Sequence, residues 1–190
     1  MIYDYTGRRK YLTVNERQAF IEATKRLAPE AQTFCLMLVY TGARISEVLA
    51  LTPARIDLED GIIIIESLKK RRRGVFRAVP VPRHFMQQLR NVHRLGELQF
   101  GTAEHSTRMW VWGRTKAWML VKHAMQIAEV APSQSMPKAL RHAFGVSATQ
   151  KKVPLNVVQK WMGHSRIATT AIYADAVGEE ERALATQMWI

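Results

Sequence analysis

Apolar residues recur at helical spacing along most of this chain, interrupted once by a continuous β-branched run. Thr13-Val14-Asn15-Glu16 has the spacing of a capping box, in which hydroxyl and carboxylate each accept from the other residue's backbone amide. It predicts a helix to about Leu27, with Phe20, Ile21 and Ala23 facing inward. Pro29 suits the first turn of a second helix, where its missing N–H costs nothing, and that helix runs through Tyr40 until Gly42 ends or bends it. A third helix, Ile45 to Leu51, is capped by Ser46 or by the preceding turn and holds Arg44 at its mouth, close to backbone amides that favour anions. Ile62-Ile63-Ile64-Ile65 and Val75 to Pro82 read as two antiparallel strands joined by Leu68 to Gly74, because β-branched side chains pack well on a pleated surface. Helical periodicity resumes from Arg83 to about Leu95, weakens from Gly96 to Ser106, and returns from about Lys116 to Val130. It appears again from Lys138 to about Lys151, with Leu140, Phe144 and either Val146 or Ala148 inward. Pro154 starts a helix from Leu155 to Met162 that Gly163 ends, and Arg166 to Tyr173 gives one more short helix. The expected fold is mainly α with a small antiparallel β-sheet, an α+β class.

Charge narrows the partners. The chain has 28 Lys plus Arg against 16 Asp plus Glu, a net charge of +12 on 190 residues, which puts a nucleic acid first. The positive charge is spread over many segments and not gathered on one amphipathic helix, which disfavours a membrane surface. An apolar content of 47% is enough to bury a core, so the chain is expected to fold as one domain over 1–190, with a short extension at 1–12 and a tail at 174–190. Met1 to Lys10 carries no apolar stretch suited to a signal peptide, and the apolar run near Phe34 to Tyr40 is too short for a bilayer. Both point to a cytoplasmic protein without a membrane partner. The single cysteine, Cys35, lies in that run and reads as a small buried side chain. Trp110, Trp112 and Trp118 read as core and helix packing in preference to a platform for stacking bases.

Arg44, Lys69, Arg141, His164 and Tyr173 share one chemistry. Two arginines, a lysine and an imidazole can neutralise and hold a phosphodiester, and a phenol beside them can attack it. They stand in the strings Thr41-Gly42-Ala43-Arg44-Ile45-Ser46-Glu47-Val48, Ala139-Leu140-Arg141-His142, Met162-Gly163-His164-Ser165 and Thr169-Thr170-Ala171-Ile172-Tyr173. Each string alone recurs by chance, but the ordered series is specific. From about Thr13 to Tyr173 the chain resembles the catalytic domain of the tyrosine recombinases, the phage-integrase family.

That resemblance implies attack by Tyr173 on a phosphodiester of double-stranded DNA, giving a 3′-phosphotyrosyl link and a free 5′-hydroxyl that later reseals the strand without metal or other cofactor. Arg44, Arg141 and His164 stabilise the charge on the phosphorus-bound oxygens, and a lysine of the hairpin protonates the departing 5′-oxygen. Lys69 is that lysine by position, and Lys70 is its competitor. Arg71, Arg72 and Arg73 read as a solvated run available to DNA, and Arg114 and Lys116, near the start of their helix, as contacts to phosphate or groove edges.

One departure from the family pattern matters. The usual motif is His-x-x-Arg, whereas this chain has Lys138-Ala139-Leu140-Arg141. Lys138 can replace a histidine as donor, but as a base only if burial and neighbouring cations strip its proton. His142 is turned about 100 degrees from Arg141 on the helix and reads as packing or support, with direct chemistry as the alternative. Glu47 either orients a cation of the site or lies on the surface. The resemblance also implies that the amino-terminal helical domain which usually closes around DNA is missing. It further implies a homo-oligomer on DNA, a tetrameric synapse in which the tail at 174–190 packs on a neighbouring protomer. Two other readings stand beside a site-specific recombinase: a topoisomerase of type IB, and a non-catalytic DNA-binding regulator with a decayed site.

Overall fold

A computed structural model describes residues 1–68, 74–97, 103–175 and 185–188. The first helix, α1 (Val14–Thr24), opens with the expected capping box: Glu16 N donates to Thr13 Oγ1 at 3.3 Å and Thr13 N donates to Glu16 Oε2 at 2.8 Å. It stops short of Leu27, because the amides of Lys25, Arg26 and Leu27 bond three residues back and tighten into turns. α2 (Pro29–Thr41) ends at Gly42, whose φ of 60° continues no helix. A Cβ there would stand 2.6 Å from the Phe144 ring, so the glycine also allows the close approach of a later helix. α3 (Ile45–Leu49) is two residues shorter than its pattern, since Pro53–Arg55 turn as a 3-10 element.

The sheet has the order β1-β2-β3, from Ile56–Asp57, Ile62–Glu66 and Phe76–Pro80, with every pairing antiparallel. β1 has two residues, too few to leave a periodic signature. The isoleucine run of β2 is buried on one face only, through Ile63 and Ile65, opposite Val79 and Arg77 of β3. Arg77 is therefore an inward position of the sheet.

α4 (Arg83–His93) and α5 (Ala103–Ser106) lead to α6 (Arg114–Ile127), which starts two residues before Lys116. α7 (Pro137–Gln150) and α8 (Leu155–Met162) lie as the pattern predicts. α9 is only Ala168–Ala171, so Tyr173 sits in the turn beyond it and not on the helix expected to carry it. Among the described residues no helix is long and apolar enough to cross a membrane.

Two apolar clusters result among the described residues. The larger wraps α2, whose Phe34 to Val39 are all buried, and takes in α1, the sheet, α4, α6 and the first half of α7. The smaller joins Ile2, Val146, Ala148, Val158, Met162 and Tyr173. Cys35 is fully buried, and loss of solvent pushes its thiol up to about 12. Trp110 donates to Glu30 O at 2.9 Å from within the core and Trp112 packs edgewise on Phe34, but Trp118 is 44% exposed beside Lys122, which corrects its assignment to the core. Most of the tail at 174–190, expected to pack on a neighbouring protomer, lies outside the described residues.

Candidate active site

Arg44 stands immediately before α3 in extended conformation. The carboxylate of Glu47 caps the helix, accepting from Arg44 N at 3.0 Å and from Arg44 Nη1 at 2.7 Å. Ser46 is not the cap. Glu47 also accepts from Arg77 Nη2 at 2.6 Å, and Arg77 reaches Ser67 Oγ at 3.1 Å and Trp161 O at 2.7 Å. Glu47 and Arg77 are 2% and 5% exposed, so the surface alternative for Glu47 is overturned. Burial pushes the Glu47 carboxyl up, but Arg77, the Arg44 amide and the Arg44 guanidinium together hold it below the usual carboxylate range. Arg77 and Ser67 did not stand out as site residues in the sequence. The signal was the strand alternation that puts Arg77 on the face of Val79, where a charge is uncommon.

Arg141, in the first turns of α7, donates from Nη1 to Gly42 O and from Nη2 to Met162 O, each at 2.6 Å. Those carbonyls close α2 and α8, where helix ends leave acceptors free and carry partial negative charge. Among the described residues two of the five guanidinium N–H donors are thus used, which leaves others for a ligand. Burial and the nearby Arg44 lower its proton affinity to about 10, which leaves it charged at neutral pH.

Gly163, at φ 66°, ends α8 and turns the chain so that His164 follows at once. Its Nδ1 lies 2.9 Å from the hydroxyl of fully buried Thr170. Burial, with Arg141, Arg44 and Arg77 around it, takes the imidazole down to about 4, so it is neutral at pH 7. Its ring stacks on that of Tyr173, with centroids 6.1 Å apart and planes 17° from parallel.

Tyr173 is 2% exposed. Burial raises its phenol above the usual value, opposed by the charges of Arg141 and Arg44. Gly145 makes room for the ring, since a Cβ there would come within 2.6 Å of it. The hydroxyl is 3.3 Å from His142 Nδ1. Of the readings open for His142, packing alone does not fit this contact, since the ring touches the phenol.

The fold brings Arg44, Arg141, His164 and Tyr173 within one another's electrostatic reach. Lys138 is exposed, and its charge acts on His142. Lys69, with Lys70, Arg71, Arg72 and Arg73, lies outside the described residues. Arg114 is exposed at the start of α6, and Lys116 sits 5.3 Å over the Trp112 ring. Among the described residues no group of three or more His, Cys, Asp or Glu is placed to hold a metal ion. Two guanidiniums, a neutral imidazole and a phenol can bind an oxyanion and present an oxygen nucleophile to it.

A mainly helical domain with a three-stranded antiparallel sheet and this set of groups has the layout of a tyrosine-recombinase catalytic domain. The chain belongs to the phage integrase family, whose model matches residues 10–180. It is 30% identical over 155 residues to tyrosine recombinase XerD of Vibrio cholerae serotype O1, a match covering 78% of this chain and 50% of the relative. It is 27% identical over 176 residues to tyrosine recombinase XerA of Thermococcus kodakarensis, covering 91% and 60%. The chain thus spans between half and three fifths of these relatives. Its fold is that of the XerA recombinase crystal structure, at a TM-score of 0.75 and 23% identity over 94% of this chain and 64% of the other. It is also that of the catalytic domain of bacteriophage HP1 integrase, at a TM-score of 0.64 and 20% identity over 92% and 93%.

Proposed function

We propose that this chain is a site-specific DNA recombinase that breaks and rejoins double-stranded DNA through a covalent phosphotyrosyl intermediate. The observation that carries this reading is the phenol of Tyr173 held within the field of Arg44 and Arg141 beside His164. The net charge of +12 and the solved structure of XerH recombinase bound to its difH substrate support DNA as the partner.

In this mechanism Arg44 and Arg141 hold the non-bridging oxygens of the scissile phosphate, each with its orientation preset by groups that do not touch DNA. The Thr170 hydroxyl donates to His164 Nδ1, which leaves Nε2–H to donate to a phosphate oxygen. Lys138 adds positive charge near the site, and Lys69 protonates the 5′-oxygen as it departs. Tyr173 must be uncovered to meet the phosphate. Lys70, Arg71, Arg72, Arg73, Arg114 and Lys116 belong to the same proposal as contacts to the DNA backbone. So does a tetrameric assembly on DNA through the tail at 174–190, acting in the cytoplasm.

The test is covalent trapping on nicked suicide duplexes that carry inverted repeats sought in the DNA beside the gene. The full chain yields a protein–DNA adduct, Tyr173→Phe yields none, and Arg141→Lys slows adduct formation by on the order of 10²–10³. DNA binding without any adduct, unchanged in Tyr173→Phe, would favour a regulator.

A further inference from the structure

We propose that His142 accepts the proton of Tyr173 as the phenol attacks, in place of a histidine at position 138, and returns it when the strand is rejoined. This rests on the reading above that Tyr173 is the nucleophile.

A buried phenol that is harder than usual to ionise needs a base close to its oxygen. His142 Nδ1 lies 3.3 Å from the hydroxyl, with the two ring centroids 5.8 Å apart and the planes tilted by 58°. Two other groups are less suited. His164 lies nearly parallel to the phenol, so its in-plane lone pairs do not face the hydroxyl, and its Nδ1 is already placed on Thr170. Lys138 is exposed, and an ammonium has donors only.

Within the pair, the phenol O–H is the stronger acid and donates, so Nδ1 is the acceptor and Nε2 carries the proton of the neutral ring. Among the described residues His142 Nε2 is buried without a hydrogen-bond partner, which leaves the phenol to set the tautomer. Burial is the largest influence keeping the ring neutral. The charges facing it add to this: Lys138 and Arg141 on α7, and the amino group of Met1 and Lys10 on the amino-terminal segment. A phosphate arriving at Arg141 cancels part of that positive field and raises the proton affinity of His142 when attack begins. Substrate binding therefore strengthens the base.

The proton balance closes. In cleavage the Tyr173 O–H bond breaks and its proton goes to His142 Nδ1, an O–P bond forms, and the P–O5′ bond breaks with its oxygen protonated by Lys69. In rejoining the 5′-hydroxyl gives its proton back to the lysine and attacks phosphorus, and the departing phenolate takes the proton of the His142 imidazolium.

The first measurement needs no DNA. Imidazole ¹⁵N spectra of the full chain should show His142 at neutral pH as the Nε2–H tautomer, with an Nδ1 shift that changes in Tyr173→Phe. An Nδ1–H tautomer would overturn the proposal.

The second measurement follows adduct formation on the suicide duplexes. His142→Asn keeps a polar atom near the Nδ1 position without a titrating base, and should slow cleavage by on the order of 10²–10⁴. Its rate should climb as pH rises toward the phenol's own ionisation, whereas the unaltered chain levels off. A 5′-bridging sulfur, which leaves without a proton, should rescue Lys69→Ala and leave His142→Asn slow. Equal slowing at every pH would show a structural role, and rescue by sulfur would place His142 at the leaving group; either result sinks the idea. If the unaltered chain forms no Tyr173-dependent adduct, the recombinase reading falls by itself, and the ¹⁵N spectra still report on the proton-sharing pair.

Discussion

Arg141 and Tyr173 lie within each other's electrostatic reach and rest on different foundations. The arginine is pinned by carbonyls at the ends of two helices, and its neighbours Ala139, Leu140 and Ala143 belong to the large core around α2. Arg44 and Glu47 stand on the same core through Ile45, Val48 and Leu49. Tyr173 instead fills the small cluster with Ile2, Val146, Ala148, Val158 and Met162, beyond the end of a four-residue helix. Groups that stabilise charge work best when fixed before the substrate arrives, because reorienting them costs energy during the reaction. A phenol that is 2% exposed has to be uncovered before it can meet a phosphate, and a small cluster with few apolar contacts opens at lower cost than a core does.

The largest test of this contrast is Glu47→Ala, which strands Arg77 in the core without a counter-charge. Unfolding in urea should show a loss of about 3–5 kcal/mol. A variant less than 1 kcal/mol below the unaltered chain would mean that the arginines are not supported as described. Next comes Gly145→Ala, whose methyl group overlaps the Tyr173 ring. It should cost about 1–3 kcal/mol and make Tyr173 more readily nitrated, with the large core undisturbed. Unaltered nitration would show that the small cluster is more adaptable than its packing suggests.

A milder perturbation is acid. His142 and His164 have folded values near 4 against an ordinary 6.5, so below pH 6.5 the unfolded chain takes up protons that the folded chain refuses. Their contribution is complete above about pH 6.5 and declines as pH falls toward about 4. The melting temperature should therefore fall between pH 7 and pH 5, and His142→Gln should lessen that slope. The smallest effect belongs to Trp118→Ala on the exposed face of α6, expected within about 0.5 kcal/mol in stability. A larger loss would mean that this ring packs against something.

The helices were legible where an apolar stripe coincided with a stop signal: Thr13 and Glu16 for α1, Pro29 and Gly42 for α2, Pro154 and Gly163 for α8. Short elements were not, because two residues of β1 or four of α9 carry no period. The same limit hid Arg77, whose meaning depends on which strand face turns inward, and misjudged Trp118, since apolar character alone does not say which side of a helix is covered. His142 shows the limit most sharply. Its place on α7 one residue after Arg141 turns it away from the arginine, and nothing local says that the chain returns with a phenol on that side.

Residue identities by themselves determined the chemistry on offer: cations, an imidazole and a phenol in a fixed order, on segments whose periodicity and capping make helices with one small sheet. Those are short-range properties, set by propensity and by neighbours a turn away. Tertiary structure decided which groups meet: Arg77 with Glu47, Arg141 with the ends of α2 and α8, and the phenol with His142 and not Lys138. Such contacts join residues far apart in the chain, and they follow from how whole faces pack when apolar surface is buried, which no local pattern encodes.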